Sequence, residues 1–147
     1  MDLGSYLTGY ADGEGCFCIT INRSKRHSLG WDIRPSFSVS QNADRSQVLE
    51  LFVRTLGCGH VRPDRSDKTL KYEVRSVPDL VAKVIPHFRR YPLFSSKQKE
   101  FEVFAEVCEM MNGGAHLTTE GFNRIVRMAA EINPNGKKRY SRSEIKV

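Results

Sequence analysis

YLTGYADGEG, residues 6–15, decides how the rest of the chain is read. Leu3, Tyr6, Leu7, Tyr10 and Ala11 recur at three- and four-residue spacing, so residues 3–12 read as a short helix. Gly9 sits inside it, at a cost of roughly 1 kcal/mol relative to Ala. The helix runs into Asp12 and Glu14, at the end where the macrodipole is already negative and cations are preferred. Gly13 and Gly15 are expected to break it. Two unfavourable features in one short helix need a reason.

Beyond it, CFCITINR alternates, with Phe17, Ile19 and Ile21 on one side and Cys16, Cys18, Thr20 and Asn22 on the other. A polar connection leads to WDIRPSFSVSQ, where Trp31, Ile33, Phe37 and Val39 oppose Asp32, Arg34, Ser36, Ser38 and Ser40. Pro35 removes a ladder donor and predicts an edge position or a bulge. A second helix spans 44–56, with Asp44 as N-cap and Gly57 as its end. GHVRPDR and LKYEVRS are the arms of a second hairpin, with a loop around Asp67. In it Leu70, Tyr72 and Val74 face the core, and Lys71, Glu73 and Arg75 face outward with Arg62. Pro78 opens a third helix. A fourth covers 96–111, and a fifth, capped by Thr118 or Thr119, runs through Ile132. The order α-ββ-α-ββ-α-α-α, hairpins with helices collected on one face, predicts an α+β domain.

The 147 residues suffice for one domain with one core. No run approaches the ~18 apolar residues of a membrane span, and no basic-then-apolar leader opens the chain. A soluble intracellular protein with no membrane partner is expected, in a bacterial or archaeal cytoplasm or an organelle. Cys16, Cys18, Cys58 and Cys108 lack zinc-type spacing and read as thiols. The net charge of +6 is uneven: residues 22–90 hold 14 Lys/Arg against 7 Asp/Glu, whereas residues 1–21 carry three acids and no base. An acidic focus before a basic block suggests a polyanion partner with a cation at the reaction centre.

The outward side chains of the four strands suit base edges. Arg34, Arg62, Lys71 and Arg75 can address guanine, Asp32 and Glu73 cytosine, and Thr20, Ser36, Ser38 and Ser40 either base type. Cys18, Asn22 and His60 share that face. Aromatic residues are scarce there, which favours a β-ribbon in a DNA major groove over single-stranded RNA. Lys137, Lys138 and Arg139 form a basic tail (137–147) suited to phosphates rather than bases.

LTGYADGEG, residues 7–15, closely resembles the nine-residue signature of the LAGLIDADG homing endonucleases. Leu7, Gly9, Asp12, Gly13 and Gly15 fall as that signature expects, and Glu14 replaces its last Asp. FSVSQNADRSQ resembles the family's strand-to-helix segment, GCGHVR its second-hairpin entry, LFSSKQKEF its basic turn before a long helix, and NGKKRYS a common C-terminal segment. The resemblance is closest to the single-motif, homodimeric branch. It implies a LAGLIDADG-type α-ββ-α-ββ-α fold with additional C-terminal helices, whose curved antiparallel sheet is a saddle for double-stranded DNA.

The same resemblance implies that two motif helices pack at a dyad through Tyr6, Gly9, Tyr10 and Asp12. Gly9 then permits close helix approach, and Asp12 holds backbone groups at the helix end or across the interface. Glu14 and the Gly13 carbonyl are the implied ligands of Mg²⁺, with Mn²⁺ as a substitute. Glu14, Gln41, Arg45 and Lys97 match the catalytic, water-ordering and phosphate-facing positions. The implied activity is a double-strand break at a long, roughly palindromic site, promoting mobility of a host intron. A maturase acting on intron RNA, or a DNA-binding protein without cleavage, remain the other readings at this point.

Overall fold

The computed structural model describes residues 1–65, 68–132 and 140–146. Helix α1, Leu3–Glu14, is N-capped by Asp2, whose carboxylate accepts from the Ser5 amide at 3.3 Å. It passes straight into strand β1, Gly15–Arg23. Gly13 therefore does not end the helix, contrary to the sequence expectation. The turn closes one step later, where the Gly15 amide donates to Ala11. A Cβ on Gly15 would lie 2.7 Å from that Ala11 carbonyl oxygen, so only glycine fits the junction.

Strand β2, Trp31–Asn42, follows the hairpin. A 3-10 turn, Ala43–Arg45, then leads to α2, Gln47–Leu56. The helix begins three residues later than expected, and Ser46 rather than Asp44 holds the cap position. It stops at Gly57, whose φ of 73° lies in the left-handed region that glycine favours. Strands β3, His60–Pro63, and β4, Thr69–Val74, form the second hairpin, and Arg75 lies one residue beyond it.

Pro78 is the second residue of α3, Val77–Asp79, which Ser76 caps. A π-helical turn, Leu80–Val84, carries the chain into α4, Ile85–Arg90. Pro86 lies just past that turn; it has no amide to donate, and a widened turn is how a helix accommodates such a gap. Helix α5 is Lys97–Asn112. Thr118 caps α6, Thr119–Ala129, by accepting from the Gly121 amide, and this helix ends before Ile132. Among the described residues no helix is long and apolar enough to cross a membrane.

The four strands form one antiparallel sheet in the order β1-β2-β4-β3. Pro35 is opposite Ile19 in the part of β2 that pairs with β1 alone, since β4 begins its pairing only at Phe37. That half of an otherwise central strand is an edge, where a missing donor is tolerated.

The helices cover one sheet face. Phe17 and Phe37, opposite each other across β1 and β2, are fully buried, and Phe88, Phe101 and Phe104 all approach Phe17 at 5.3 Å between ring centroids. Leu7 and Ala11 seat α1 on the same core. A second cluster, Trp31 and Ile33 with Val107, Phe122 and Ile125, fastens α5 and α6 over the far end of the first hairpin. There Trp31 Nε1 donates to the Lys146 carbonyl at 2.8 Å, so residues 140–146 fold back onto the domain. Lys137, Lys138 and Arg139 lie outside the described residues, as does Asp67.

Candidate functional site

The two faces of α1 differ. One is packed: Thr8 is buried, its hydroxyl donating to the Tyr91 carbonyl at 2.8 Å and meeting His87 Nε2 at 3.1 Å. Burial holds the His87 ring below the usual histidine range. The other face is bare within this chain: Tyr6 is exposed, and a Cβ built on Gly9 or Gly13 would meet nothing within 4 Å.

At the C-terminal end of α1, Gly13 and Glu14 are exposed. The negative helix end is met by a cation from another element. Lys97, the first residue of α5, donates from Nζ to the Ala11 carbonyl at 3.2 Å and the Gly15 carbonyl at 2.6 Å. An ammonium has three N–H donors, so two fix its place and one is left for a ligand. This cation offsets the charge mismatch that the sequence poses.

Asp12 is occupied within the chain. Its carboxylate accepts from the Phe94 amide at 2.9 Å and from the amide and hydroxyl of Ser95. Burial works against its charge, but the Ser95 hydroxyl, the Phe94 and Ser95 amides and Lys97 outweigh it and hold the carboxyl below the usual aspartate range. The residue thus fixes the turn that delivers Lys97.

Gln41, at the end of β2, reaches the same helix. Its amide donates to the Tyr10 hydroxyl, and its carbonyl accepts from the Asn42 amide at 2.8 Å. Gly13, Glu14, Gln41 and Lys97 are thus gathered around α1. Arg45 lies in the exposed 3-10 turn beyond Gln41. Among the described residues no group of three His, Cys, Asp or Glu side chains could hold a metal ion. The carboxylate of the exposed Glu14 and the backbone of the exposed Gly13 offer the oxygen donors that suit a hard divalent cation, which completes its shell with water and phosphate oxygens.

The register defines the outward face. Cys16, Ser38, Glu73 and His60 form one row across all four strands, with Ser40, Lys71 and Arg62 in the next. Cys18 is opposite Ser36, Thr20 opposite Arg34, and Asn22 opposite Asp32. Ser38 and Glu73 are buried although they point outward, because they occupy the two central strands and neighbouring side chains close over them. Glu73 is therefore not the exposed base contact that alternation suggests. Arg75, past the end of β4, is exposed but belongs to no strand. The Cys16 thiol is brought down to about 7, chiefly by a hydrogen bond from Cys18 and further by the field of Lys97, against the opposing effect of burial.

The sequence profile of the LAGLIDADG endonuclease family matches residues 7–108. The chain belongs to the LAGLIDADG endonuclease family. It is 35% identical over 127 residues to a probable intron-encoded endonuclease 3 of Neurospora crassa, covering 86% of this chain and 24% of that protein. It therefore spans about a quarter of that relative's length. Among solved structures, the homing endonuclease I-TnaI is 33% identical with a TM-score of 0.83, over 88% of this chain and 87% of that one. The LAGLIDADG homing endonuclease I-LtrWI, bound to its target DNA, is 31% identical with a TM-score of 0.85, over 90% of this chain but 44% of that one.

Sequence reasoning missed how the LAGLIDADG site is held together. Asp32, expected on the outward face, and Asp64, not among the expected contacts, are ion-paired to Arg34 and Lys71 at 2.5 and 3.8 Å. The parity of Asp32 with Arg34 was visible in the alternation of β2. Asp64 depended on how the second hairpin turns, which no local pattern specifies.

Proposed function

We propose that this LAGLIDADG protein is a site-specific homing endonuclease that lays its outward sheet face on double-stranded DNA and cuts at the end of α1. The observation that carries the reading is the bare face of α1, ending in an exposed Glu14 beside the tethered Lys97. One chain brings one such end, so a double-strand break needs two. A homodimer paired through α1 supplies both, and isologous pairing matches a near-palindromic target. The I-LtrWI chain, more than twice as long as the part matched, favours a second arrangement in which the other α1 belongs to a further domain of one polypeptide.

Glu14 and the Gly13 carbonyl would hold a divalent ion, Mg²⁺ or in its place Mn²⁺. When bound, such an ion relieves charge on the scissile phosphate and polarises water. Lys97 presents its remaining N–H to the phosphate and stabilises charge as it develops there. Gln41, its amide fixed by Tyr10 and Asn42, orders the attacking water, and Arg45 lies on the strand-to-helix side to meet the backbone. The thiols, hydroxyls and cations of the sheet face read the sequence.

The test is Glu14→Gln, compared with wild type on a randomised duplex library, with bound and cleaved sequences recovered separately. We expect the variant to enrich the wild-type sequences while cleavage falls by at least about 100-fold. Near wild-type cleavage by the variant would overturn the assignment of Glu14.

A further inference from the structure

Two arginines of the outward face are held by carboxylates in the same way. Arg34 Nε is 2.5 Å from Asp32 Oδ2, and Arg62 Nε is 3.3 Å from Glu73 Oε1. In both pairs the acid is the sheltered partner: the Asp32 and Glu73 side chains are 17% and 9% exposed, against 59% and 40% for Arg34 and Arg62. The ion pairs of the helical layer are built differently. Arg89 and Arg124 meet Glu109 and Glu106 through Nη2, with both partners well exposed.

The distinction matters because a guanidinium has two edges to offer. Pairing through Nη2 occupies the terminal end that would grip a ligand. Pairing through Nε occupies the side and leaves the terminal Nη groups for the two acceptors, O6 and N7, of guanine. Arg62 is fixed further, its Nη1 donating to the Pro63 carbonyl at 3.1 Å. Stability does not account for such pairs. Half-exposed ion pairs contribute little, and a nearly buried glutamate is costly to desolvate. Acids on this face also oppose the phosphates of any duplex that lands on it.

We propose that Asp32 and Glu73 are positioning residues for base recognition, holding Arg34 and Arg62 by Nε so that their terminal nitrogens read guanine. The inference rests on the reading of this face as a DNA-binding surface. Glu73 then acts through Arg62 rather than on cytosine. The acids raise discrimination in two ways: they fix the arginine fork, and they keep non-specific attraction to phosphate low.

The experiment is selection from a randomised duplex library by wild type, Asp32→Asn, Arg34→Ala and the double variant, with Glu73→Gln and Arg62→Ala as a second, independent pair. Melting curves verify that each variant is folded. Arg34→Ala is expected to reduce preference for guanine at one base pair by roughly 10- to 100-fold. Asp32→Asn is expected to flatten preference at that same base pair by about tenfold, with no further loss in the double variant, while binding to unrelated duplex rises. Glu73→Gln should match Arg62→Ala at a different base pair. Folded acid variants that keep the wild-type base profile, or lose affinity equally at all positions, would overturn the proposal. If wild type itself enriches no sequence, the DNA-binding reading fails, and the proposal with it.

Discussion

Glycines on the packed and bare sides of the motif helix behave oppositely. A Cβ on Gly4 would sit 2.3 Å from the Tyr91 ring, and one on Gly15 would sit 2.7 Å from the Ala11 carbonyl oxygen. A Cβ on Gly9 or Gly13 would meet nothing within 4 Å. The first two glycines are explained by their own chain. Gly9, in the helix interior, carries a penalty of roughly 1 kcal/mol and gains nothing from the domain that contains it. A cost with no return inside the domain is offset only outside it, and a second helix laid against Gly9 is the arrangement that would offset it.

The largest expected effect comes from filling that space. Gly9→Leu has room in the isolated domain, so its urea midpoint should remain near wild type or rise. Against a partner helix the same side chain overpacks, at roughly 1–3 kcal/mol per copy, and both copies lie at one dyad. Pairing should weaken by roughly 30-fold or more, and cleavage should fall with it. Sedimentation at micromolar concentration checks this. A wild-type monomer there, or a variant that still pairs, would break the comparison.

Gly15→Ala should show the opposite pattern with a smaller effect. Its Cβ would press on backbone, which cannot rotate away as a flexible side chain can. The domain itself should lose about 1–3 kcal/mol in urea unfolding, whatever its state of association. If Gly15→Ala were neutral while Gly9→Leu unfolded the domain, the assignment of packed and bare sides would be reversed.

How much of this was legible in the sequence follows from the range of the interactions. Alternation in CFCITINR and WDIRPSFSVSQ placed Phe17, Phe37 and Val39 inward, because strand parity is a local property. Gly9 is conspicuous in the sequence as a violation of helix propensity, and the family signature gives it a context. Neighbours across the sheet were not legible, since they depend on register. Glu73 has the outward parity expected of it, yet it is buried because Ser38 and His60 flank it on the adjacent strands. Asp12 and Lys97 were each singled out, but their juxtaposition joins segments more than 80 residues apart. The end of α1 was misplaced for a related reason. Gly13 and Gly15 look alike as helix breakers, and only the packing at the junction shows which one the chain requires.

The smallest expected effect is the most discriminating, because it changes sign with association. Gly9→Ala adds one methyl group to a helix position that is open in the isolated domain. Ala is favoured over Gly in a helix interior, so the unpaired domain should gain roughly 0.5–1 kcal/mol. If a partner helix lies against Gly9, the same methyl group holds the two backbones apart, and the pair should lose more than each domain gains. Urea midpoints at a series of protein concentrations separate the two. At the lowest concentrations the variant should be more stable than wild type. At the highest, where pairing contributes by mass action, it should be less stable, and the two curves should cross. Curves that stay parallel, with the variant above wild type throughout, would mean that Gly9 faces only solvent and that the partner helix belongs elsewhere on the molecule.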